Sequence, residues 1–93
     1  MSIVIVTGST GLIGSETSNF FIKKGFKIIG IDNNLRKYFF GQEGSTHKIR
    51  NILKKNFKYD HYNLDIRNYE KLEKVFKKYR KNISLIVHCA AQP

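Results

Sequence analysis

Residues 3–14 read IVIVTGSTGLIG, and the architecture of the chain can be worked out from them. Ile3, Val4, Ile5 and Val6 are a continuous, mostly β-branched apolar run, the pattern of a strand buried on both faces of a parallel sheet. A turn punctuated by Gly8, Gly11 and Gly14 follows at once. Gly8 allows a sharp backbone turn at the strand end, Gly11 keeps the backbone amides open to a phosphate, and Gly14 lets the following helix pack closely. A helix opening at Leu12 presents unpaired N–H groups and a partial positive charge, so the expected occupant is a dinucleotide pyrophosphate. Gly8, Ser9, Thr10, Gly11, Leu12, Ile13 and Gly14 are therefore the first candidate cofactor contacts. Their spacing is G-x-x-G-x-x-G.

A glycine triplet gains meaning from a preceding strand, a following helix and an acidic residue about 20 positions on. All three are present. A second apolar run at residues 26–31 ends at Asp32, whose carboxylate can accept both hydroxyls of a ribose and would repel a 2′-phosphate. The cofactor expected is NAD rather than NADP, with Asn33 and Asn34 as neighbouring candidate contacts.

The remaining punctuation continues the alternation of strand and helix. Between Leu12 and about Lys24, Ile13, Thr17, Phe20 and Phe21 fall at helical spacing, the two phenylalanines are expected in the core, and Gly25 closes the helix. After Asp32 comes an irregular segment with Tyr38, Phe39 and Phe40 in succession. Ser45 or Thr46 can then cap a short helix carrying Ile49, Ile52 and Leu53 on one side. Residues 57–63 alternate weakly, as an edge strand does, and lead into Leu64-Asp65-Ile66-Arg67. Asn68 caps a helix with Leu72, Val75, Phe76 and Tyr79 as its buried stripe. Residues 84–88, SLIVH, read as a fourth buried strand. With right-handed crossovers the fold class is α/β, an incomplete Rossmann-type parallel sheet of strand order 3-2-1-4 flanked by helices.

Composition bounds the alternatives. The 93 residues are one domain at most, and a complete doubly wound sheet needs more chain. The chain is expected to be the N-terminal part of such a domain, with the catalytic and substrate-binding portion absent. Apolar residues at 41% and aromatics at 13% are those of a packed core. The net charge of +10 raises a nucleic-acid or membrane-surface reading, but Lys54, Lys55, Lys58, Lys71, Lys74, Lys77, Lys78, Arg80 and Lys81 are spread over helix faces and ends, where they serve as solvated surface. Neither a nucleic-acid nor a membrane partner is expected. The single cysteine, Cys89, excludes an intrachain disulfide, and a reducing, cytoplasmic location is the expectation. No metal site is nominated.

Four short motifs in order, Thr7 to Gly14, Asp32, Asp65-Ile66 and Val87-His88-Cys89-Ala90-Ala91, resemble the extended short-chain dehydrogenase/reductase superfamily, specifically its NAD-dependent epimerase/dehydratase family. The likeness covers the whole chain. It implies that Asp32 reads the ribose, that the Asp65 carboxylate and the Ile66 N–H hold the adenine, and that Ala90 and Ala91 leave room for the cofactor. Within the superfamily, residues 30–46 and Ala90-Ala91-Gln92-Pro93 resemble the CDP-paratose 2-epimerase (CDP-tyvelose epimerase) group. That narrower likeness implies a homo-oligomeric parent enzyme that takes hydride from a carbon of a CDP-linked nucleotide sugar and returns it to the opposite face, the cofactor carrying the chemistry.

The superfamily's proton transfer uses a Tyr-x-x-x-Lys pair with a Ser or Thr. Four residues after Tyr38, Tyr59, Tyr62, Tyr69 and Tyr79 stand Gln42, Asn63, Ile66, Glu73 and Ile83. No such pair exists, so no catalytic residue is nominated, and the 93 residues alone are expected to be inactive. His88, at a strand end, is expected to support the fold rather than react. The alternatives kept open are another nucleotide-sugar 4-epimerase or dehydratase, an inactive truncated NAD-binding fragment and, least favoured, a basic nucleic-acid-binding module.

Overall fold

The computed structural model describes residues 2–32 and 58–89. Every residue of β1, Ile3–Thr7, is buried, as a continuous apolar run flanked by strands on both edges requires. On one side lies β2, Lys27–Ile31, and beyond it β3, Tyr59–Tyr62; on the other lies β4, Ile83–His88. All pairings are parallel and the order is β3-β2-β1-β4, as expected from the sequence. The registers align Val6 with Gly30 and Val87, and Gly30 with His61.

Successive side chains of a strand point to opposite faces, and the two faces are covered by different helices. On one, Val4, Val6, Ile28 and Tyr59 pack with Phe21, Ile22 and Phe26, contributed by α1, Leu12–Lys23, and the turn after it. On the other, Ile3, Ile5, Ile29 and Ile31 pack with Leu72, Val75, Phe76 and Tyr79 of α2, Tyr69–Tyr79. The α2 stripe is the expected one.

The inward line of α1 differs from the expected stripe. Ile13 and Phe20 are 62% and 55% exposed, whereas Gly14 and Ser18 are buried and Phe21 and Ile22 are half-buried. Close approach is the cause. A Cβ on Gly14 would lie 1.8 Å from the Gly8 carbonyl oxygen, so this side of the helix is pressed onto the turn and Ile13 and Phe20 are rotated outward. The helix then ends as expected at Gly25, which has φ of +94°. Its N–H bonds the Ile22 carbonyl, the Phe26 N–H bonds that of Phe21, and the Phe21 and Phe26 rings meet edge to face at 5.7 Å. This is a Schellman closure with its hydrophobic contact, and it explains why β2 starts at Lys27 and not at Phe26.

Asn68 caps α2 as expected, its side chain accepting the Lys71 N–H at 3.3 Å. Asn68→Ala should lower stability by about 1 kcal/mol, read as a shift in urea midpoint with unchanged slope. An unchanged midpoint would show that the cap contributes nothing. Lys71, Lys74, Lys77, Lys78, Arg80 and Lys81 are exposed, and Lys77 pairs with Glu73 one turn back at 2.9 Å.

The burial expected for the fourth strand is not found. Leu85 and Ile86 are 44% and 48% exposed, because among the described residues β4 is hydrogen-bonded only to β1, at the end of the sheet. The run is apolar enough for a central strand, but among the described residues nothing lies beyond it. No helix among those residues is long and apolar enough to cross a membrane. Asn33, Asn34, the aromatic trio at 38–40, the short helix expected after Ser45 or Thr46, and Ala90 to Pro93 lie outside the described residues.

Candidate functional site

Parallel strands end on the same edge of the sheet, so the segments after β1, β2, β3 and β4 are brought together there. The order of strands reverses between β1 and β4, and ligands of open α/β sheets bind at such a switch point, beyond the carboxyl ends of the strands.

The turn after β1 is built around Gly8. Its φ of +69° is a left-handed conformation that glycine adopts without strain. Its N–H donates to the Ile31 carbonyl at 2.7 Å, joining the ends of β1 and β2, and its carbonyl accepts the Gly11 N–H at 3.1 Å. Gly11 is the N-cap of α1, with no side-chain hydrogen bond and no acidic residue in the first helical turn. The opposite arrangement is seen in α2, where Asn68 caps and Glu70 lies in the first turn. The start of α1 thus leaves its positive end and its amides without a capping side chain or an acid in the first turn, an arrangement that suits an anion.

Asp32 follows β2 directly and is half-buried. Its Oδ2 accepts two hydrogen bonds from Thr10, one from the backbone N–H at 3.1 Å and one from the hydroxyl at 2.8 Å. Its own N–H donates to the Tyr62 carbonyl at 3.2 Å. The carboxylate is therefore fixed against the glycine turn, and the Asp32 backbone is tied to the end of β3. Thr10, nominated as a cofactor contact, is fully buried and uses its hydroxyl to hold Asp32.

Asp65 sits just past β3. Its carboxylate accepts the Arg67 N–H at 2.9 Å and forms a paired ion contact with the Arg67 guanidinium. Hydrogen bonding to Asp65, and then its charge, raise the pKa of Arg67. Ile66 packs against the α2-side core. At the end of β4 the His88 Nδ1 lies 2.6 Å from the Thr7 hydroxyl, and the Cys89 N–H bonds the Thr7 carbonyl at 3.0 Å. The structure thus gathers residues 8–14, Asp32, Asp65 and Ile66 at one edge of the sheet. Asn33, Asn34, Ala90 and Ala91, also nominated, lie outside the described residues.

One cluster was not anticipated. The Tyr59 hydroxyl is 2.7 Å from Ser9 Oγ and 2.8 Å from His61 Nδ1, and Gly30 makes the space in which they meet. A Cβ on Gly30 would lie 2.0 Å from the Tyr59 oxygen and 2.6 Å from Ser9 Oγ. A glycine inside an isoleucine-rich strand marks a close approach, and that was the available signal.

Residues 5–93 match the GDP-mannose 4,6 dehydratase family. UDP-glucuronate 4-epimerase of Thermodesulfobacterium geofontis (strain OPF15) is 33% identical over 99% of the chain, which corresponds to 27% of that enzyme. Among solved structures, UDP-glucose 4-epimerase of Thermotoga maritima, determined with UDP-glucose, is 26% identical with a TM-score of 0.73, over 97% of this chain and 24% of that one. Bordetella bronchiseptica WbmH, determined with NAD+, shares the fold at a TM-score of 0.78 and 24% identity, over 100% of this chain and 27% of that one. The 93 residues span about a quarter of the length of the curated relative they match.

Proposed function

Because the chain belongs to the GDP-mannose 4,6 dehydratase family, we propose that it is the NAD-holding portion of a nucleotide-sugar epimerase or dehydratase. The observation that carries this is the Asp32 carboxylate, fixed by Thr10 beside the uncapped start of α1. These features fit a dinucleotide: amides and a helix end for the pyrophosphate, and a carboxylate for the ribose. The Asp65–Ile66 corner, next along the same edge, is the proposed adenine contact. When bound, NAD would take hydride from a sugar carbon and give it back. This chain's residues bind and orient; none of them makes the Tyr-x-x-x-Lys pair needed to move the proton.

The finer proposal is a CDP-linked sugar 2-epimerase, supported by the resemblance of residues 30–46. A second reading, a UDP-sugar 4-epimerase, is favoured by the match to UDP-glucuronate 4-epimerase and by the UDP-glucose in the Thermotoga structure. A homo-oligomeric parent and a cytoplasmic location belong to the same proposal.

The test is to titrate NAD against the full-length gene product and to assay it with CDP- and UDP-sugars. NAD binding with interconversion of one nucleotide class is expected, and the purified 93 residues should give no turnover. Turnover by those 93 residues that is lost on changing one of their side chains would refute the division of labour. Absence of NAD binding by the full-length protein would refute the proposal itself.

A further inference from the structure

The buried Ser9–Tyr59–His61 cluster has no part in the site described above. Ser9 is completely buried and Tyr59 is nearly so, at 4% exposure. Tyr59 stands in register with Ile28 of the neighbouring strand, while Gly30, two residues further along β2, is opposite His61. The phenol therefore leans along the sheet from β3, crosses β2 over Gly30, and reaches the turn that follows β1. It can do so only because Gly30 lacks a side chain.

Any buried tyrosine hydroxyl needs a partner, and a backbone carbonyl would serve. Here the partner is the side chain in the middle of the glycine turn. Ser9 lies between Gly8, whose carbonyl holds the Gly11 N–H, and Thr10, which holds Asp32. A phenol carries one hydrogen, so it donates to one neighbour and accepts from the other. Ser9 Oγ and His61 Nδ1 are thereby ordered together.

We infer that Tyr59 is a positioning residue for the cofactor: its hydroxyl fixes the phosphate-binding turn from the far side of β2 through Ser9, in a gap that Gly30 keeps open. The inference rests on the proposed seating of NAD on that turn. It makes a specific demand. Tyr59 acts on the turn that faces the pyrophosphate, which NAD and NADP share, whereas Asp32 faces the ribose, where they differ. Loss of the Tyr59 hydroxyl should weaken both dinucleotides by the same factor and leave their ratio alone.

The experiment measures NAD and NADP dissociation constants and thermal midpoints for the full-length protein and its Tyr59→Phe, Ser9→Ala, double Ser9→Ala/Tyr59→Phe and Asp32→Asn variants. One lost hydrogen bond of ordinary strength corresponds to about a fivefold weaker affinity. Tyr59→Phe should show that loss for both cofactors, Ser9→Ala should match it, and the double variant should lose no more than either single one. Asp32→Asn should instead change the NAD to NADP ratio. Wild-type affinity in Tyr59→Phe, with a lowered thermal midpoint and a ratio that still responds to Asp32→Asn, would overturn the inference alone and leave Tyr59 as core. Failure of the wild type to bind either dinucleotide would overturn the site and the inference together.

Discussion

Gly14→Ala should destabilise the protein by about 3 kcal/mol, the upper end for forced overpacking, and abolish NAD binding. The added methyl would sit 1.8 Å from the Gly8 carbonyl oxygen, 2.6 Å from the Gly8 carbonyl carbon and 2.9 Å from Ser9 Cα. All three are backbone atoms, so no rotamer change relieves the clash. Either α1 moves off the sheet or the turn proposed to hold the phosphates is displaced. Gly11→Ala is the matched control, because its Cβ would meet only the Gly8 oxygen, at an ordinary 3.4 Å. Urea unfolding of both variants checks the stability loss, and NAD titration of Gly14→Ala checks the loss of binding. Equal stability losses in the two would show that the Gly8–Gly14 approach does not govern the turn.

At the ribose end, the wild type should prefer NAD to NADP by at least tenfold, and Asp32→Asn should remove most of that preference. A carboxylate and one phosphate charge about 4 Å apart repel by about 4 kcal/mol at an effective dielectric near 20. A tenfold preference requires only about 1.4 kcal/mol. Asparagine removes the charge yet retains an oxygen able to accept both bonds from Thr10. Asp32→Ala loses the charge and the anchor together, so it should also weaken NAD itself. Parallel titrations of the two cofactors would decide. Equal affinities in the wild type, or an unchanged ratio in Asp32→Asn, would show that Asp32 does not read the ribose.

The glycine turn, the strand before it and the acid after β2 were legible because each is set by neighbours in sequence: backbone conformation at Gly8, apolar continuity in β1, and the end of an apolar run at Asp32. The Asn68 cap and the α2 stripe were legible for the same reason. What failed depended on neighbours distant in sequence. Helical spacing in α1 admits more than one stripe, and the clash at Gly14 selected the line through Ser18 and Phe21 over that through Ile13 and Phe20. An apolar run does not reveal whether its strand is central, hence the misjudged burial of Leu85 and Ile86. The Thr10–Asp32 bonds join the ends of two strands and show only when both are in view. Tyr59 became legible only once β3 was laid against β2, with the ring over Gly30.

The strand order also dictates a sequence of assembly. β1 pairs Ile3 with Lys27 on one side and with Ile83 on the other, so the second pairing closes roughly three times as much chain. Loop closure grows as the logarithm of length, which makes the β1–β4 contact about 1 kcal/mol harder to nucleate than the β1–β2 contact. Non-local parallel pairings are also the slow step in sheets of this kind. The unit of β1, α1 and β2 already contains the Gly8–Ile31 and Thr10–Asp32 bonds. The turn after β1 and its link to Asp32 therefore lie within the first 32 residues, Tyr59 reaches Ser9 only once β3 has paired with β2, and the β1–β4 pairing is the one that closes the longest stretch of chain.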